Sequence, residues 1–337
     1  MPVWIRAPER WHEMGSPKRY FSRWENLLGL FLVLSFVLIA LAAPLISPDD
    51  PTKPGPFKAV GRPSDYEPRP PSPEAPLGTL SKQVSVFHAL VWGSRSALSF
   101  GVTVAAAVAI LGILIGTASA YFSGWIGRLL MGVTDAFLSF PVIAGVVLIQ
   151  QLATITLYNF GFRFYPGGVV GMVTASGAFS ELPNDLPWLL VILQQIDPVL
   201  IAFILFSWMI YARMMNTVVL RIKQTEYIQA ARALGASHLR IIFRHLIPNA
   251  IAPAMVLAAR DVGGMVLLQA TFTFIGLGGD SVWGTLLVNG RDWIITPGGI
   301  FTYWWVFLPA ALVLILFGVG WNLLGDGLND AMNPHLR

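Results

Sequence analysis

The segment EYIQAARALGASHLRIIFRHLIPNAIAP, Glu226 to Pro253, is the one long polar interruption in the apolar second half of the chain. It is strongly basic, with Arg232, Arg240 and Arg244 inside it and Arg221 and Lys223 just upstream. Thr225 is placed to cap a helix whose first residue, Glu226, meets the positive end of the helix dipole. Ala230 and Ala231 are slim and strong helix formers. Gly235 can close that helix in a left-handed cap. Ser237 can cap a second helix that runs to about Ile247, where Pro248 sets its end. The reading is a helix–turn–helix with a narrow knob to enter a cleft and arginines to suit an acidic rim.

The flanks decide where that knob stands. The chain of 337 residues is 55% hydrophobic and only 12% charged, with a mean hydropathy of +0.64. Ordinary globular domains carry roughly 25% charged residues. A bilayer core about 30 Å thick takes roughly 20 apolar residues per helix, and several stretches meet that length. The chain reads as an integral membrane protein. A DNA-binding role for the helix–turn–helix is excluded because both flanks enter the membrane, so no nucleic acid is expected. A solvated connector is the plain alternative to a docking element. With no cysteine, disulfides and thiolate chemistry are excluded.

Six spans are expected, in an all-α polytopic membrane protein. Residues 1–26 form an N-terminal segment, and 27–46 the first span, too long for a secretory signal core. An extracytoplasmic Pro-rich loop, 47–96, follows, and the prolines of its 47–81 part forbid regular helix and strand there. Residues 97–324 form the core domain with five spans: within 97–121, roughly 129–152, 198 to about 218, 251 to about 274, and 301 to about 324. The core includes a loop, 153–197, and the basic segment, 221–248; a tail, 325–337, follows. Gly112 and Gly116 form a GxxxG pair that is either a close helix contact or chance. The five cations between spans 4 and 5, against Arg163 alone before span 4 and Arg291 alone after span 5, put the basic segment in the cytoplasm. Both termini then lie in the cytoplasm. The first loop, with Lys53, Lys58, Arg62, Arg69 and Lys82, runs against that count.

The basic segment resembles the EAA loop of ABC-importer permeases. Gln229, Ala230, Ala231, Gly235, Leu246, Ile247 and Pro248 stand at the motif positions, with Gln229 in place of Glu and His245 in place of Ile. The wider resemblance is to the C-type permease of the dipeptide/oligopeptide (peptide/nickel) importer family. It rests on APLISPDDP after span 1, PLGT at 76–79, WGSRSAL at 92–98, DAFLSFP at 135–141, and Trp208 with YAR at 211–213. FIGLG at 274–278, Trp283-Gly284 and the tail NLLGDGLNDAMNPHLR extend it. Gln83-Val84-Ser85 replaces the family's Gly-Arg-Asp, and Leu80 an Asp.

The resemblance implies a type I ABC importer permease fold. It implies an inner-membrane subunit that forms half of a translocation pathway for dipeptides or oligopeptides. The partners it implies are a homologous permease, two ATPase subunits, an extracytoplasmic solute-binding protein and membrane lipid. Gln229, Ala230, Ala231, Arg232, Gly235, Arg240 and Pro248 would form the ATPase-coupling loop. ATP and Mg would sit on the partner ATPase, since this chain has no GxxxxGK[ST] loop and no catalytic or metal-ligand cluster. It is therefore not expected to be an enzyme. Another solute of the same family, a nickel chelate or an oligosaccharide, is an alternative. A second class, an ion-coupled secondary transporter, would need charged pairs in several spans or an inverted repeat.

Arg260 and Asp261 fall mid-span, where a charge costs about 2.5–3.5 kcal/mol on insertion scales. Either they line the translocation pathway or they pair with other spans. Gln269 and Thr273, at the outer end of the same span, are further pathway candidates, Gln269 standing where the family commonly has Glu. With Thr271 they could instead satisfy one another. Asp135 is expected to have a structural partner near the cytoplasm, with a proton relay as the alternative.

Overall fold

The computed structural model describes residues 20–21, 23–51, 54–159, 162–164, 170–173, 179–180, 197–295 and 302–332. Nearly all of the N-terminal segment, most of the loop 153–197, and the tail beyond 332 lie outside the described residues, as do His12 and His335.

The helices are α1 (Trp24–Ile46), α2 (Val86–Phe122), α3 (Gly124–Ser139), α4 (Val142–Asn159), α5 (Pro198–Ser207) and α6 (Met209–Ile222). They continue with α7 (Glu226–Ala233), α8 (His238–Ile241), α9 (Ile247–Ala250), α10 (Ala252–Phe274), α11 (Val282–Ile294) and α12 (Leu308–Met332). Five runs are long and apolar enough to cross a membrane: α1, α2, α5 with α6, α10 and α12. The pair α3 and α4, bent by 85°, makes a sixth if counted as one crossing. A small antiparallel meander, Phe162–Phe164, Val170–Val173 and Phe179–Ser180, is the one sheet among the described residues. It pairs Arg163 with Gly171 and Val173 with Phe179.

Several expected boundaries move. The second span starts at Val86, ahead of the expected 97, because Ser85 accepts the His88 N–H and caps the helix. The Pro-rich loop is correspondingly shorter than 47–96. The third span is not one rod: Phe140 is extended and Pro141 follows it, so the helix stops and restarts. The last helix runs to Met332, so most of the expected tail 325–337 is helix. Helix α11 was not expected.

Contacts fix which helix ends share a face. Arg23 pairs with Asp330 at 2.9 Å, joining the start of α1 to the end of α12. Ser47 Oγ lies 2.7 Å from His88 Nδ1, joining the end of α1 to the start of α2. Trp305 Nε1 donates to Thr79 O, and Tyr303 Oη to Glu67, so the Pro-rich loop sits over the approach to α12. Both described chain ends therefore lie on the same face as α7.

Helix α2 packs against α1, α6, α10 and α11. A Cβ on Gly112 would come within 2.3 Å of Tyr211 Cβ, and one on Gly116 within 2.3 Å of Ala212 O. The GxxxG pair is thus the seam between α2 and α6. The two tryptophan-glycine motifs also meet: buried Trp283 donates to Leu90 O at 3.1 Å and lies directly over Gly93.

Candidate functional site

The basic segment folds into α7, a turn, α8, a π-helical turn at Ile242–Leu246, and α9. Ala236 N–H reaches Ala231 O at 3.0 Å across Gly235, whose φ is +78°. That is the left-handed cap expected there. Ser237 caps α8 by accepting from Arg240 N–H. Thr225 differs from expectation: its hydroxyl donates back to Ile222 O at 2.6 Å instead of capping α7. Pro248 also differs. The helical path does not stop there, because the Ile247 N–H already reaches back to Ile242 O. The ladder has shifted by one residue before the proline, which has no N–H, begins α9.

Three residues lash this segment to the end of α2. Lys223 Nζ donates to Ala120 O at 2.9 Å and Tyr121 O at 3.0 Å, and also to Ser123 Oγ. It lies against the negative end of the α2 dipole. Burial, then the charge of Arg232, lowers the Lys223 pKa from its ordinary value. Tyr121 Oη lies 2.6 Å from His238 Nδ1. The Arg232 guanidinium stacks 5.0 Å from the Tyr121 ring centroid. A cleft of about 410 Å³ opens between them, lined by Tyr121, Phe122, Arg232, Ala236, His238 and Ile241. Ile228, Ile241 and Leu246 are buried beneath.

Much of the loop's surface is open. Gln229, Ala230, Arg232, Gly235, Arg240 and Pro248 are exposed, and Ala231 is half-buried. Gln229 Nε2 donates to Gln224 O at 3.1 Å, within the loop itself. Leu234 is 88% exposed and Leu239 68%. Sequence reasoning named the arginines here and passed over these leucines. Two apolar side chains flanking a positive-φ glycine were the available signal.

The charged residues of the spans do not gather into one site. Arg260 pairs with Asp326 of α12, while Asp261 accepts from Tyr211 Oη at 2.7 Å on α6. Adjacent helix residues point apart, so each has its own partner. Gln269 and Thr273 lie at the other end of α10. Gln269 is buried and bonds Asp197, the residue that caps α5. Thr273 Oγ1 is 3.0 Å from both Gln269 O and Gly279 O. Thr271 donates to Leu267 O in its own helix. Asp135 pairs with Arg213, a residue that sequence reasoning had not paired with it. No group of three or more metal-ligating residues forms among the described residues.

Residues 89–337 match the family model described as the inner membrane component of binding-protein-dependent transport systems. A dipeptide transport system permease protein of Alkalihalophilus pseudofirmus is 27% identical, over 92% of this chain and 86% of its own. A putative peptide transport system permease protein of Brucella abortus biovar 1 is 30% identical, over 92% and 88%. A nickel transport system permease protein of Escherichia coli K12 is 29% identical, over 94% and 96%.

Proposed function

We propose, on the premise that the chain belongs to the binding-protein-dependent transport system inner membrane component family, that it forms half of the translocation pathway of an ATP-driven peptide importer. It pairs with a homologous permease, couples to two ATPase subunits, and receives substrate from a binding protein on the extracytoplasmic face. ATP and Mg belong to the ATPase subunits. Both termini and the basic loop face the cytoplasm.

The observation that carries the reading is the coupling loop. Helix α7 is short and exposed, capped at Gly235, and tied at its base to the long helix α2 by Lys223 and Tyr121. A knob held this way can transmit a push to the spans. The first span ends at Ile46, the permease core runs from Val86 to Met332, and residues 221–248 form the coupling loop. Peptide is the preferred solute because a dipeptide permease and a peptide permease are among the similar proteins. The 29% identity to a nickel permease supports nickel as a second reading.

Co-purification of the chain with its ATPase tests the coupling. The complex is expected to be lost on Gly235→Arg, and an intact complex would count against α7 as the dock. The ligand that stays bound to the cognate binding protein decides between peptide and nickel.

A further inference from the structure

The bend between α3 and α4 sits level with Phe206 of the apolar run formed by α5 and α6. Phe140 stacks on Phe206 with ring centroids 5.5 Å apart, and Phe137 lies 5.8 Å from Phe206 and 5.9 Å from Trp208. Phe206 is the ninth residue of the apolar run Pro198–Ile222. At about 1.5 Å per residue that is roughly 12 Å below its outer end, near the middle of a core about 30 Å thick. At this depth Phe140 and Pro141 leave the helical ladder, and both are exposed, as is Ser139 at the end of α3. Ser139 Oγ donates to Ala136 O at 2.7 Å, serving one carbonyl near the break. Non-helical backbone is tolerated at membrane depth only inside protein or beside a water-filled cavity. In secondary transporters, discontinuous helices form the substrate site near the bilayer midplane.

A second, independent observation points the same way. Arg128, Gly132, Asp135 and Ser139 recur at helical spacing along one face of α3, and all four are exposed. Exposed Trp125, Leu129 and Val133 form a separate apolar stripe beside them. Helix α3 climbs from the inner end of α2, where Gly127 lies against Ser119, to the level of Phe206. Its polar stripe therefore runs through the inner half of the membrane. Asp135 pairs with Arg213 on α6, and their side chains are 52% and 60% exposed. Arg213 is the sixteenth residue of the run Pro198–Ile222, so the pair is still within the hydrocarbon depth. An exposed ion pair at this depth is costly against lipid, and such groups face the bundle interior or a water-filled cavity.

We infer that the α3 stripe and the break at Ser139–Pro141 line the aqueous translocation pathway, and that Asp135 and Arg213 hold the ammonium and carboxylate ends of a passing peptide. This rests on the importer reading above and names residues for its pathway. An open peptide carries both charges, and the pair offers one partner to each. Arg213 donates to the carboxylate through its planar fork, and Asp135 accepts from the ammonium. The contact is an exchange of partners, since the two side chains pair with each other when no peptide is present.

The chain contains no cysteine, so single cysteines can be placed in it without background. The experiment uses the complete transporter in proteoliposomes, with the mass of this chain read after a membrane-impermeant, charged methanethiosulfonate. Loss of the ATPase during purification would mean failure of the importer reading itself, seen before any labelling. In the intact complex, Gly132→Cys and Ser139→Cys are expected to react at least tenfold faster than Leu38→Cys on the exposed face of α1. Rates as slow as at Leu38→Cys would overturn the pathway assignment.

Alanyl-alanine, delivered by the binding protein, is the probe for the second half. It is expected to slow labelling of Ser139→Cys severalfold, and to lose that protection when Asp135→Asn or Arg213→Gln is added. Protection that survives both substitutions, or no protection at all, would overturn the peptide contact.

Discussion

Tyr121, next to last in α2, and His238, first in α8, are joined by a 2.6 Å hydrogen bond across 117 residues of sequence. The bond ties the proposed dock to the longest helix of the fold. Tyr121→Phe keeps the ring under Arg232 and removes only the hydroxyl. One such bond contributes about 1 kcal/mol net, so the complex is expected to assemble. Motion at α7 would then reach α2 less faithfully. Peptide transported per ATP hydrolysed, measured in proteoliposomes, is expected to fall severalfold while hydrolysis continues. An unchanged ratio would show that this bond transmits nothing.

Gly235 separates backbone strain from docking. Its φ of +78° disfavours any side chain by roughly 1–2 kcal/mol. No heavy atom lies within 4 Å of a Cβ built there, so space is not the constraint. Gly235→Ala and Gly235→Arg therefore share one strain cost and differ in the bulk placed beside exposed Leu234. The alanine variant is expected to keep the ATPase through purification, with a melting temperature a few degrees lower, and the arginine variant to lose it. Equal loss in both would assign the effect to the loop's own folding.

How far the sequence could be read follows from where the information is local. The caps at Gly235 and Ser237 are local chemistry and are as expected. The span cores follow from hydropathy alone. Val86 was missed because hydropathy does not see the cap at Ser85, which starts the helix before its apolar run. Pro141 was read as sitting inside a span, since a proline shows that a helix is disturbed but not by 85°. Helix α11 was hidden because its polar residues break the apolar run, while its anchor, Trp283, finds Leu90 across 193 residues. Arg260 and Asp261 were legible as anomalies. Their partners, Asp326 and Tyr211, were not, because nothing in the chain's order brings those helices together.

Gln83 shows how a side chain can hold a backbone that favours glycine. Its φ is +57°, beside Lys82 at +61°. The buried carboxamide donates to Glu67 O at 2.8 Å and Asp65 O at 3.2 Å, and accepts from Thr79 Oγ1 at 3.1 Å. Gln83→Ala would keep the strain and lose all three bonds, at about 1 kcal/mol each. Gln83→Gly would lose the same bonds but relieve roughly 1 kcal/mol of strain. Resistance of the 47–85 loop to limited proteolysis is expected to rank wild type above Gln83→Gly above Gln83→Ala. A glycine variant as resistant as wild type would mean that the three bonds contribute little.

The Arg260–Asp326 pair can be tested by removing one end and then both. Arg260→Met leaves a carboxylate on α12 with its partner gone, at a cost of about 1–3 kcal/mol for a half-exposed pair. Arg260→Met with Asp326→Leu removes both charges and is expected to return close to wild-type thermal stability. Asp261→Asn keeps an oxygen for Tyr211 Oη to donate to, so assembly should be normal. Unchanged transport in Asp261→Asn and in the double variant is expected if these groups only join helices. A transport defect in a normally assembled variant would return them to the pathway.

Asp197 gives the protein a pH dependence of predictable sign. It stands immediately before α5, where its carboxylate accepts from Val199 N–H at 2.9 Å. Burial, reinforced by the charge of Asp280, pushes its pKa from 3.8 up to about 6, against the hydrogen bonds from Val199 and Gln269. The folded state thus holds this proton more tightly than the unfolded chain. The group's contribution is fully favourable below the unfolded value and is lost as pH rises through about 6. At about 1.4 kcal/mol per pKa unit, the loss by neutral pH is up to about 3 kcal/mol. Asp197→Asn retains an oxygen to cap α5 and cannot ionise. Thermal melts of the purified protein are therefore expected to show the asparagine variant more stable at pH 7.5, with the gap closing toward pH 4.5. A gap that stayed constant over that range would show that the Asp197 carboxylate ionises as freely in the fold as in the open chain.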